Sequence, residues 1–370
     1  MIIDQYPTWV EVNLSAVENN VKRTIEHVGV PLMAVVKDNA YGHGSVEVGK
    51  TAVAAGATYL SVARFYEAMV LRRAGITAPI LSLGMVTPAE VDEAIANQVT
   101  VNLHSFEVGE MFAQRASVAG KPVSVHLKVD TGMGRLGVQV HEIVKLARFA
   151  QEKGNIQVDG MFSHFANADL VNDSLTPKQV VRFQQAVDAL REEGLCPRWL
   201  HLSNTAGSIV HPEARFTMVR GGSSVVGIWP FNYDLPYPEF LRPALTWKAR
   251  LASCKILPAG WAVGYSQLYP LTKDELIGVI PVGYGDGFRR TLNNEVIIGG
   301  QKVPVRGRMC MDQAMIHLPK VYPLGEEVVL IGQQGNERFR LEDLAIRYDT
   351  AQVDVSTMIN IRVPRVYLRD

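Results

Sequence analysis

The segment LMAVVKDNAYGHG, residues 32–44, decides the fold of this chain. Its apolar residues Met33 to Val36 run directly into Lys37, and a glycine-containing turn follows at once. A short continuous apolar run is typical of a strand buried on both faces, as in a parallel sheet. Proteins of the α/β class place their chemistry at the carboxyl ends of such strands, which is where Lys37 stands.

Lys37 is open to two interpretations from this segment alone. A lysine that is desolvated at a strand end has a lowered pKa, and its amine can serve as a nucleophile or form a Schiff base. The alternative is a surface lysine that merely follows a strand. The two are separated by the rest of the chain.

Around this segment, short apolar runs alternate with longer helix-like segments from Trp9 to about Arg242. The predicted strands are 32–36, 59–62, 80–83, 100–103, 123–129, 157–162, 199–202 and 216–219. The predicted helices include 44–56, 66–75, 88–97, 141–154 and 176–194, the last with Thr176 as its cap. This alternation predicts an α/β fold in which residues 1–242 form a (β/α)8 TIM-type barrel. An open doubly wound sheet is the alternative, but no GxGxxG turn opens a helix.

The composition changes after Arg242. Short runs rich in Val and Ile follow, separated by turn residues, at 245–257, 277–283, 295–298, 301–305, 314–318 and 327–331. This pattern predicts a second, mainly antiparallel β domain over residues 243–370, with one short helix at 342–348.

Charge and composition exclude several classes of function. Lys+Arg and Asp+Glu number 37 each and form no block, so we expect no binding to nucleic acid or to an anionic membrane. No apolar stretch approaches the ~18 residues of a membrane span, and the first residues do not resemble a secretory signal. Cys196, Cys254 and Cys310 lack CxxC spacing. We therefore expect a cytoplasmic protein without disulfides and without a metal site.

The residues that follow the predicted barrel strands suit a phosphorylated ligand. The loops after strands seven and eight usually bind phosphate in such barrels, and Asn204, Thr205, Gly221, Gly222 and Ser223 occupy them here. Each has a simpler explanation as a turn or packing residue. Together with a strand-one lysine and a histidine able to stack on a ring, they indicate pyridoxal 5′-phosphate as cofactor.

The chain resembles the alanine racemase family, the fold type III enzymes that use pyridoxal phosphate. The resemblance runs nearly end to end and rests on ten segments in a shared order. In the predicted barrel these are WVEVNLSA (9–16), VKDNAYGHG (36–44), KVDTGMGRLG (128–137), GMFSHFA (160–166), HLSNTAG (201–207) and MVR (218–220). In the second domain they are VGY (263–265), PVGYGDG (281–287), GRMCMDQ (307–313) and RVPR (362–365).

The resemblance implies a two-base racemisation of alanine that supplies D-alanine for peptidoglycan. Lys37 would bind the cofactor and act as base on the D face of the substrate. Tyr265 of the partner subunit in an obligate homodimer would act on the L face, because racemisation needs proton transfer on both sides of Cα.

The other roles also come from the resemblance. Cofactor-binding residues would be Tyr41, His164, Asn204, Thr205, Arg220, Gly222 and Ser223. Substrate-binding residues would be Arg135, Met311 and Tyr284, and Lys128 matches a position that some members carbamylate. Arg220 would face the pyridine nitrogen; because arginine keeps its proton, the ring would be a weaker electron sink, which suppresses side reactions.

Two segments depart from the family pattern. After Arg220 the chain reads GGSSVVG (221–227) where the family usually reads PGIALYG, so Ser223 adds a hydroxyl. Residues 350–354 read TAQVD where the family usually reads TINYE, so Val353 replaces a tyrosine. A wider pocket would accept serine, lysine or other amino acids, which makes a broader-specificity racemase the alternative. The opposite interpretation is that Tyr269 or Tyr284 fills the space.

Two other classes of function are less favoured. A fold type III decarboxylase would share the lysine-bearing barrel, but Arg220 and the Tyr265 segment speak against it. A non-catalytic pyridoxal-phosphate carrier would resemble the barrel alone, whereas this chain continues through a complete second domain.

Overall fold

The eight predicted barrel strands form one parallel sheet in a computed structural model, which describes residues 5–170, 172–231 and 235–369. These strands are numbered from the second, because one strand precedes them. They are β2 (Leu32–Val35), β3 (Tyr59–Val62), β4 (Ile80–Ser82), β5 (Val99–Leu103), β6 (Val123–Lys128), β7 (Ile156–Phe162), β8 (Trp199–His201) and β9 (Val219–Gly221). The spatial order β8-β7-β6-β5-β4-β3-β2-β9 is that of a barrel.

The sheet closes almost completely between β8 and β9. The backbone N–H of Arg220 donates to the carbonyl of Ser203 (3.0 Å), and that of Thr217 donates to the carbonyl of Leu200 (3.1 Å). The fold class predicted from the sequence is therefore confirmed, although the last strand begins at Val219 rather than at residue 216. Phe216 has a φ of 48°, in the left-handed region, and cannot continue an extended strand.

Helices connect the barrel strands, and five of them lie where the sequence predicts a helix. The helices are α1 (Leu14–Val28), the short turn α2 (Lys37–Tyr41), α3 (Ser45–Ala54), α4 (Phe65–Arg73), α5 (Pro88–Ala96), α6 (Phe106–Ala119), α7 (Ile143–Lys153), α8 (Leu175–Glu192) and α9 (Thr205–Val210). Thr176 is not the cap of α8. It lies inside the helix, where its N–H and hydroxyl both donate to the carboxylate of Asp173 (2.6 and 2.8 Å).

The division of the chain differs from the expected 1–242 and 243–370 at the amino terminus. Two units are present: a barrel unit of Val17–Tyr41 and Ser45–Arg242, and a β unit of the segment ending at Ala16, Gly42–Gly44 and the chain from Pro243 onward. The first strand, β1 (Thr8–Asn13), belongs to the β unit because it pairs with two strands from the far end of the sequence. The longest segment of the β unit begins at Pro243.

The β unit is mainly antiparallel. Its other strands are β10 (Leu245–Arg250), β11 (Ser253–Leu257), β12 (Ala262–Val263), β13 (Tyr269–Pro270), β14 (Glu275–Ile280), β15 (Glu295–Ile298), β16 (Gln301–Pro304), β17 (Ala314–His317), β18 (Glu327–Gln334), β19 (Glu337–Phe339) and β20 (Arg365–Leu368). One sheet has the order β16-β15-β18-β10-β1-β20, with β19 beside β18, and another has the order β11-β14-β17. The predicted strand 245–257 is therefore two strands in different sheets. Helices α10 (Leu341–Tyr348) and α11 (Gln352–Thr357) complete the unit.

The part of the chain that the structure describes lacks two kinds of feature. No helix within it has both the length and the apolar character needed to cross a membrane. The same residues include no group of three or more His, Cys, Asp or Glu side chains that could hold a metal ion.

Candidate active site

Lys37 leaves strand β2 into a left-handed turn. Residues 38–41 all have φ values between 51° and 55°, a conformation that costs roughly 1–2 kcal/mol for each non-glycine residue. Four consecutive residues of this kind require support from their surroundings, and such strain is typical of functional sites. The turn fixes where the Lys37 and Tyr41 side chains leave the strand end.

Glu67 supplies part of that support and was missed by the sequence analysis. One of its oxygens accepts from the backbone N–H of Asp38 (2.5 Å), and the other accepts from those of Ala63 (2.9 Å) and Arg64 (2.8 Å). Glu67 therefore ties the start of α4 to the turn after Lys37. A capping glutamate at the third position of a helix is a readable signal, but its partner 29 residues away is not.

The pKa of Lys37 lies below that of an ordinary lysine. Burial is the main cause and the positive charge of Arg135 is the next, while Glu67 and Asp38 act in the opposite direction. A lowered pKa makes the neutral, nucleophilic amine easier to reach at neutral pH. Of the two interpretations of Lys37, the structure favours the desolvated amine over the surface lysine.

Tyr41, Thr205 and Gly222 meet at one place in the barrel unit. A β-carbon at Gly222 would overlap the Tyr41 hydroxyl, so only glycine fits there. The Thr205 hydroxyl accepts from the backbone N–H groups of Gly222 (3.1 Å) and Ser224 (3.4 Å). Asn204 caps α9 by accepting from the N–H of Gly207 (3.0 Å). The predicted phosphate-binding residues are thus brought together with Ser223, which is buried.

Arg220 is buried and held in place by its two terminal nitrogens. One donates to the carbonyl (2.9 Å) and to Nδ1 (2.8 Å) of His201. The other contacts Nδ1 of His164 (3.0 Å) and the carbonyls of Ser163 (2.8 Å) and Leu202 (3.0 Å). Burial lowers the pKa of Arg220 to about 9, which still leaves the guanidinium charged at neutral pH. His164 therefore lies beside a fixed positive charge.

Lys128 and Arg135 differ in their surroundings. Lys128 is buried over the ring of Phe162 (4.4 Å to the centroid), and burial and then Arg220 hold its pKa well below the usual value. Arg135 is exposed at the end of a loop that Asp130 organises, because the Asp130 carboxylate accepts from the backbone N–H groups of residues 132–134. Asp130 thus binds loop backbone instead of pairing with Arg135.

Positive charge accumulates at this end of the barrel. Arg220 and Arg135 lower the pKa of both Lys37 and Lys128, and all four cations lower that of His164. The opposing charges come from Asp38, Glu67 and Asp130, and these carboxylates are occupied by backbone donors or lie in exposed turns. Only Glu67 of these three is buried, and both of its oxygens accept from backbone N–H groups, so the cations remain suited to an anionic ligand.

The remaining predicted site residues, Tyr265, Tyr284 and Met311, belong to the β unit. All three are exposed, at 57%, 40% and 51%. The guanidinium of Arg290 lies over the rings of both Tyr265 (5.8 Å) and Tyr284 (5.1 Å). The carbonyl of Met311 accepts from the backbone N–H of Gly285 (2.9 Å), which places Met311 beside the turn that carries Tyr284. The three residues therefore share one exposed region of the unit.

Arg362 braces this region. Its Nε donates to Asp286 (2.7 Å) and one terminal nitrogen donates to Asp312 (2.7 Å), the residue after Met311. The other carboxylate oxygen of Asp286 accepts from the N–H of Gly283 (2.9 Å).

Val353 lies half-buried in α11. Tyr269 is one candidate to fill the space that a tyrosine ring at position 353 would occupy. Its hydroxyl already donates a hydrogen bond to Glu275 (3.0 Å).

Comparison with known proteins identifies the family of the chain. Residues 12–230 match the family model "Alanine racemase, N-terminal domain", and residues 244–367 match "Alanine racemase, C-terminal domain". The alanine racemase of Symbiobacterium thermophilum is 42% identical over 366 residues, covering 98% of this chain and 97% of that protein. That of Geobacillus stearothermophilus is 41% identical over 370 residues, covering 98% and 94%.

Solved structures give the same result. The alanine racemase from E. faecalis is similar with a TM-score of 0.92 at 36% identity, covering 98% of this chain and 99% of that one. The alanine racemase from Bacillus anthracis with bound L-Ala-P is similar with a TM-score of 0.92 at 37% identity, covering 98% and 95%. The chain therefore belongs to the alanine racemase family, whose members are amino-acid racemases acting on alanine.

Proposed function

We propose that this chain racemises L- and D-alanine with pyridoxal 5′-phosphate as its cofactor, through two bases that act on opposite faces of the substrate. The observation that carries the proposal is the group of positive charges at Lys37, Arg135 and Arg220 at the end of the barrel. A phosphate and a substrate carboxylate would supply the negative charge that this group lacks.

The residues present fit this cofactor. Lys37 is a partly desolvated amine suited to its aldehyde, and the close approach of Tyr41 to Gly222 forms a cradle without side-chain bulk for a phosphate. Burial raises the pKa of Tyr41 well above its usual range, so its phenol keeps the proton that a phosphate oxygen can accept. When bound, the cofactor supplies an electron-withdrawing ring that acidifies the Cα–H bond of the amino acid.

The chain's own residues would divide the work. Asn204, Thr205, Gly222 and Ser223 would bind the phosphate together with Tyr41, and His164 would lie against the ring. Arg220 would donate a hydrogen bond to the ring nitrogen without giving up its proton. That limits electron withdrawal by the ring and disfavours decarboxylation and transamination. Arg135 would bind the substrate carboxylate, and Lys37 would move the Cα proton on the D face.

Tyr265 would move the proton on the L face, and Met311 and Tyr284 would line the substrate from the same side. Their exposure in the β unit supports a role in covering another subunit, because large apolar side chains exposed together often mark interfaces. We therefore propose a homodimer in which Tyr265 of the partner subunit completes each site. D-alanine made this way would serve peptidoglycan synthesis, and the three free cysteines suit a reducing compartment such as the cytoplasm.

Lys128 would carry a carbamate formed from its neutral amine and carbon dioxide with release of one proton. Its buried position and lowered pKa favour the neutral amine that this reaction needs. The resulting anion would orient Arg135. Binding of ¹³C-labelled bicarbonate to the wild type, but not to Lys128→Met, would support this modification.

The function is tested by incubating the purified protein with L-alanine, with and without added pyridoxal phosphate, and separating the products by chiral chromatography. We expect cofactor-dependent conversion toward equal amounts of both enantiomers. Release of carbon dioxide would instead indicate the decarboxylase. Failure to incorporate solvent deuterium at Cα would indicate the non-catalytic carrier.

The shared site has its own test. Lys37→Ala and Tyr265→Phe subunits are each expected to be inactive, and they are mixed after reversible dissociation. If each site uses both subunits, a heterodimer regains one intact site, so random mixing restores about one quarter of the wild-type activity. If each subunit forms its own site, mixing restores none.

A further inference from the structure

Two buried imidazoles link Arg220 to a carboxylate in the barrel unit. Arg220 contacts Nδ1 of His201 (2.8 Å), and Nε2 of His201 contacts Nδ1 of His126 (2.8 Å). Nε2 of His126 in turn faces the carboxylate of Asp159 at 3.9 Å. Both histidines are fully buried, whereas the Asp159 side chain is 28% exposed. The chain of contacts thus runs from the buried guanidinium to a carboxylate that reaches solvent.

The backbone around Asp159 is irregular in a way that serves this contact. In the pairing of β6 with β7, Val125 faces Val158 but His126 faces Gly160, so Asp159 is an extra residue in the strand. Such a bulge redirects a side chain. A β-carbon at Gly160 would lie 2.7–2.8 Å from the ring atoms of His126, so glycine is needed there to admit the imidazole.

Two further contacts hold the chain in place. The Tyr59 hydroxyl donates to Asp159 (2.9 Å), and the ring of Phe162 stacks on His201 at 5.1 Å with an interplanar angle of 4°. The imidazole of His126 first, and then the Tyr59 hydroxyl, lower the pKa of Asp159, although its partial burial opposes them. Asp159 is therefore a carboxylate at neutral pH.

One arrangement of protons satisfies every donor along this chain. A guanidinium only donates, so Nδ1 of His201 must accept from Arg220 and its proton must be on Nε2. That proton is donated to Nδ1 of His126, which leaves the His126 proton on Nε2, the ring atom 3.9 Å from the Asp159 carboxylate. If His126 instead carried its proton on its own Nδ1, that N–H would need an acceptor, and the proton of His201 would have to move from Nε2 to Nδ1. Two donors, this N–H and that of Arg220, would then face each other without an acceptor.

We propose that Asp159 and His126 are positioning residues for Arg220, acting through the tautomer of His201. Asp159 favours the Nε2–H form of His126. In that form Nδ1 of His201 carries a lone pair that accepts from Arg220, and this hydrogen bond fixes the guanidinium. The consequence for the reaction rests on the proposed role of Arg220, but the arrangement of protons does not.

The arrangement is tested by ¹⁵N NMR of histidine-labelled holoenzyme, with signals assigned from His126→Asn and His201→Asn. We expect both histidines of the wild type to be neutral Nε2–H tautomers. In Asp159→Asn the His126 signals should shift toward a mixture of tautomers, while Asp188→Asn on the outer face of α8 should leave them unchanged. A wild-type His201 protonated on Nδ1, or identical spectra for Asp159→Asn, would overturn the proposal.

Kinetics of the same variants test the positioning role. We expect His126→Leu to lower kcat roughly 3- to 30-fold with little change in KM, an effect within the range of coupling seen in one hydrogen-bonded network. His126→Asn should recover much of this loss, because its amide oxygen can accept from His201. Asp159→Asn should add no further loss to His126→Leu. Equal losses in both His126 variants, or additive losses in the double variant, would overturn the proposal.

These outcomes are distinguishable from failure of the proposed function. If the wild type did not racemise alanine, the racemase assignment would fail. The tautomers of His126 and His201 would still report on the role of Asp159, because the spectra require the folded holoenzyme and no turnover.

Discussion

The Tyr41 hydroxyl lies so close to the backbone of Gly222 that a β-carbon at Gly222 would overlap it. Tyr41 ends a left-handed turn that begins at Lys37, and Gly222 follows the last barrel strand. This contact therefore joins the proposed cofactor-binding lysine to the proposed phosphate site across the first and last strands of the barrel.

Gly222→Ala is predicted to displace Tyr41 and weaken cofactor binding. The added methyl group would overlap the Tyr41 hydroxyl and must move the ring, and overpacking of this kind costs about 1–3 kcal/mol. Titration of the cofactor-free protein with pyridoxal phosphate, followed by absorbance, measures the loss. An unchanged dissociation constant in a variant that melts like the wild type would contradict the assigned cradle.

Thr205→Val is predicted to be destabilising, whereas Thr205→Ser is not. Valine has the same shape but leaves the N–H groups of Gly222 and Ser224 without their acceptor. Leaving such buried donors unsatisfied costs about 1–3 kcal/mol. Urea unfolding of the two variants provides the comparison. Equal stability of the valine and serine variants would show that the hydroxyl does not hold this loop.

The cofactor-free protein is predicted to lose stability as the pH falls below about 6.5. Burial is the main cause that lowers the pKa of His126, His164 and His201, so the folded state binds fewer protons than the unfolded state in this range. The free energy of unfolding therefore decreases as the pH falls below the pKa that a histidine has in the unfolded chain. The decrease is at most about 1.4 kcal/mol per pH unit for each histidine.

Denaturant unfolding between pH 5 and pH 7 measures this slope. His201→Asn removes one of the three groups and should flatten the dependence. A stability that is constant over this range, or that rises on acidification, would mean that these histidines are charged in the folded protein.

Val353→Tyr is predicted to narrow substrate choice if the missing ring has widened the pocket. Tyr269 is engaged with Glu275, which leaves Tyr284 as the other aromatic considered for the space. Pockets of this kind discriminate by about 1–3 kcal/mol per methylene, so kcat/KM for serine relative to alanine should fall by about 10-fold or more in the variant. The same kcat/KM measurement would be made with lysine and arginine as substrates. Strict preference for alanine in the wild type would contradict a pocket widened at position 353.

Most of the barrel was predictable because local patterns carry it. Each parallel strand is a short apolar run, and helices begin and end at residues such as Thr87, Pro88 and Gly154, whose capping preferences can be read directly. The site residues at strand ends follow from the same alternation, since parallel strands share their carboxyl ends.

Long-range pairing was not predictable in the same way. Strand β1 alternates as an ordinary strand, but nothing local indicates that Val10 pairs with Trp247 and Arg365. The turn after Lys37 is formed by residues that rarely adopt left-handed φ values. Its hydrogen bond to Glu67 is therefore visible only in the structure. The bulge at Asp159 likewise depends on the register between two strands, which the sequence of either strand does not contain.

Lys37 and Tyr265 are proposed to move the Cα proton on opposite faces of alanine. The most direct measurement is exchange of the Cα hydrogen with deuterium oxide in Tyr265→Phe, starting separately from each enantiomer. We expect D-alanine still to exchange, through Lys37 and without inversion, while L-alanine does not exchange. Continued exchange and inversion of both enantiomers in this variant would contradict it.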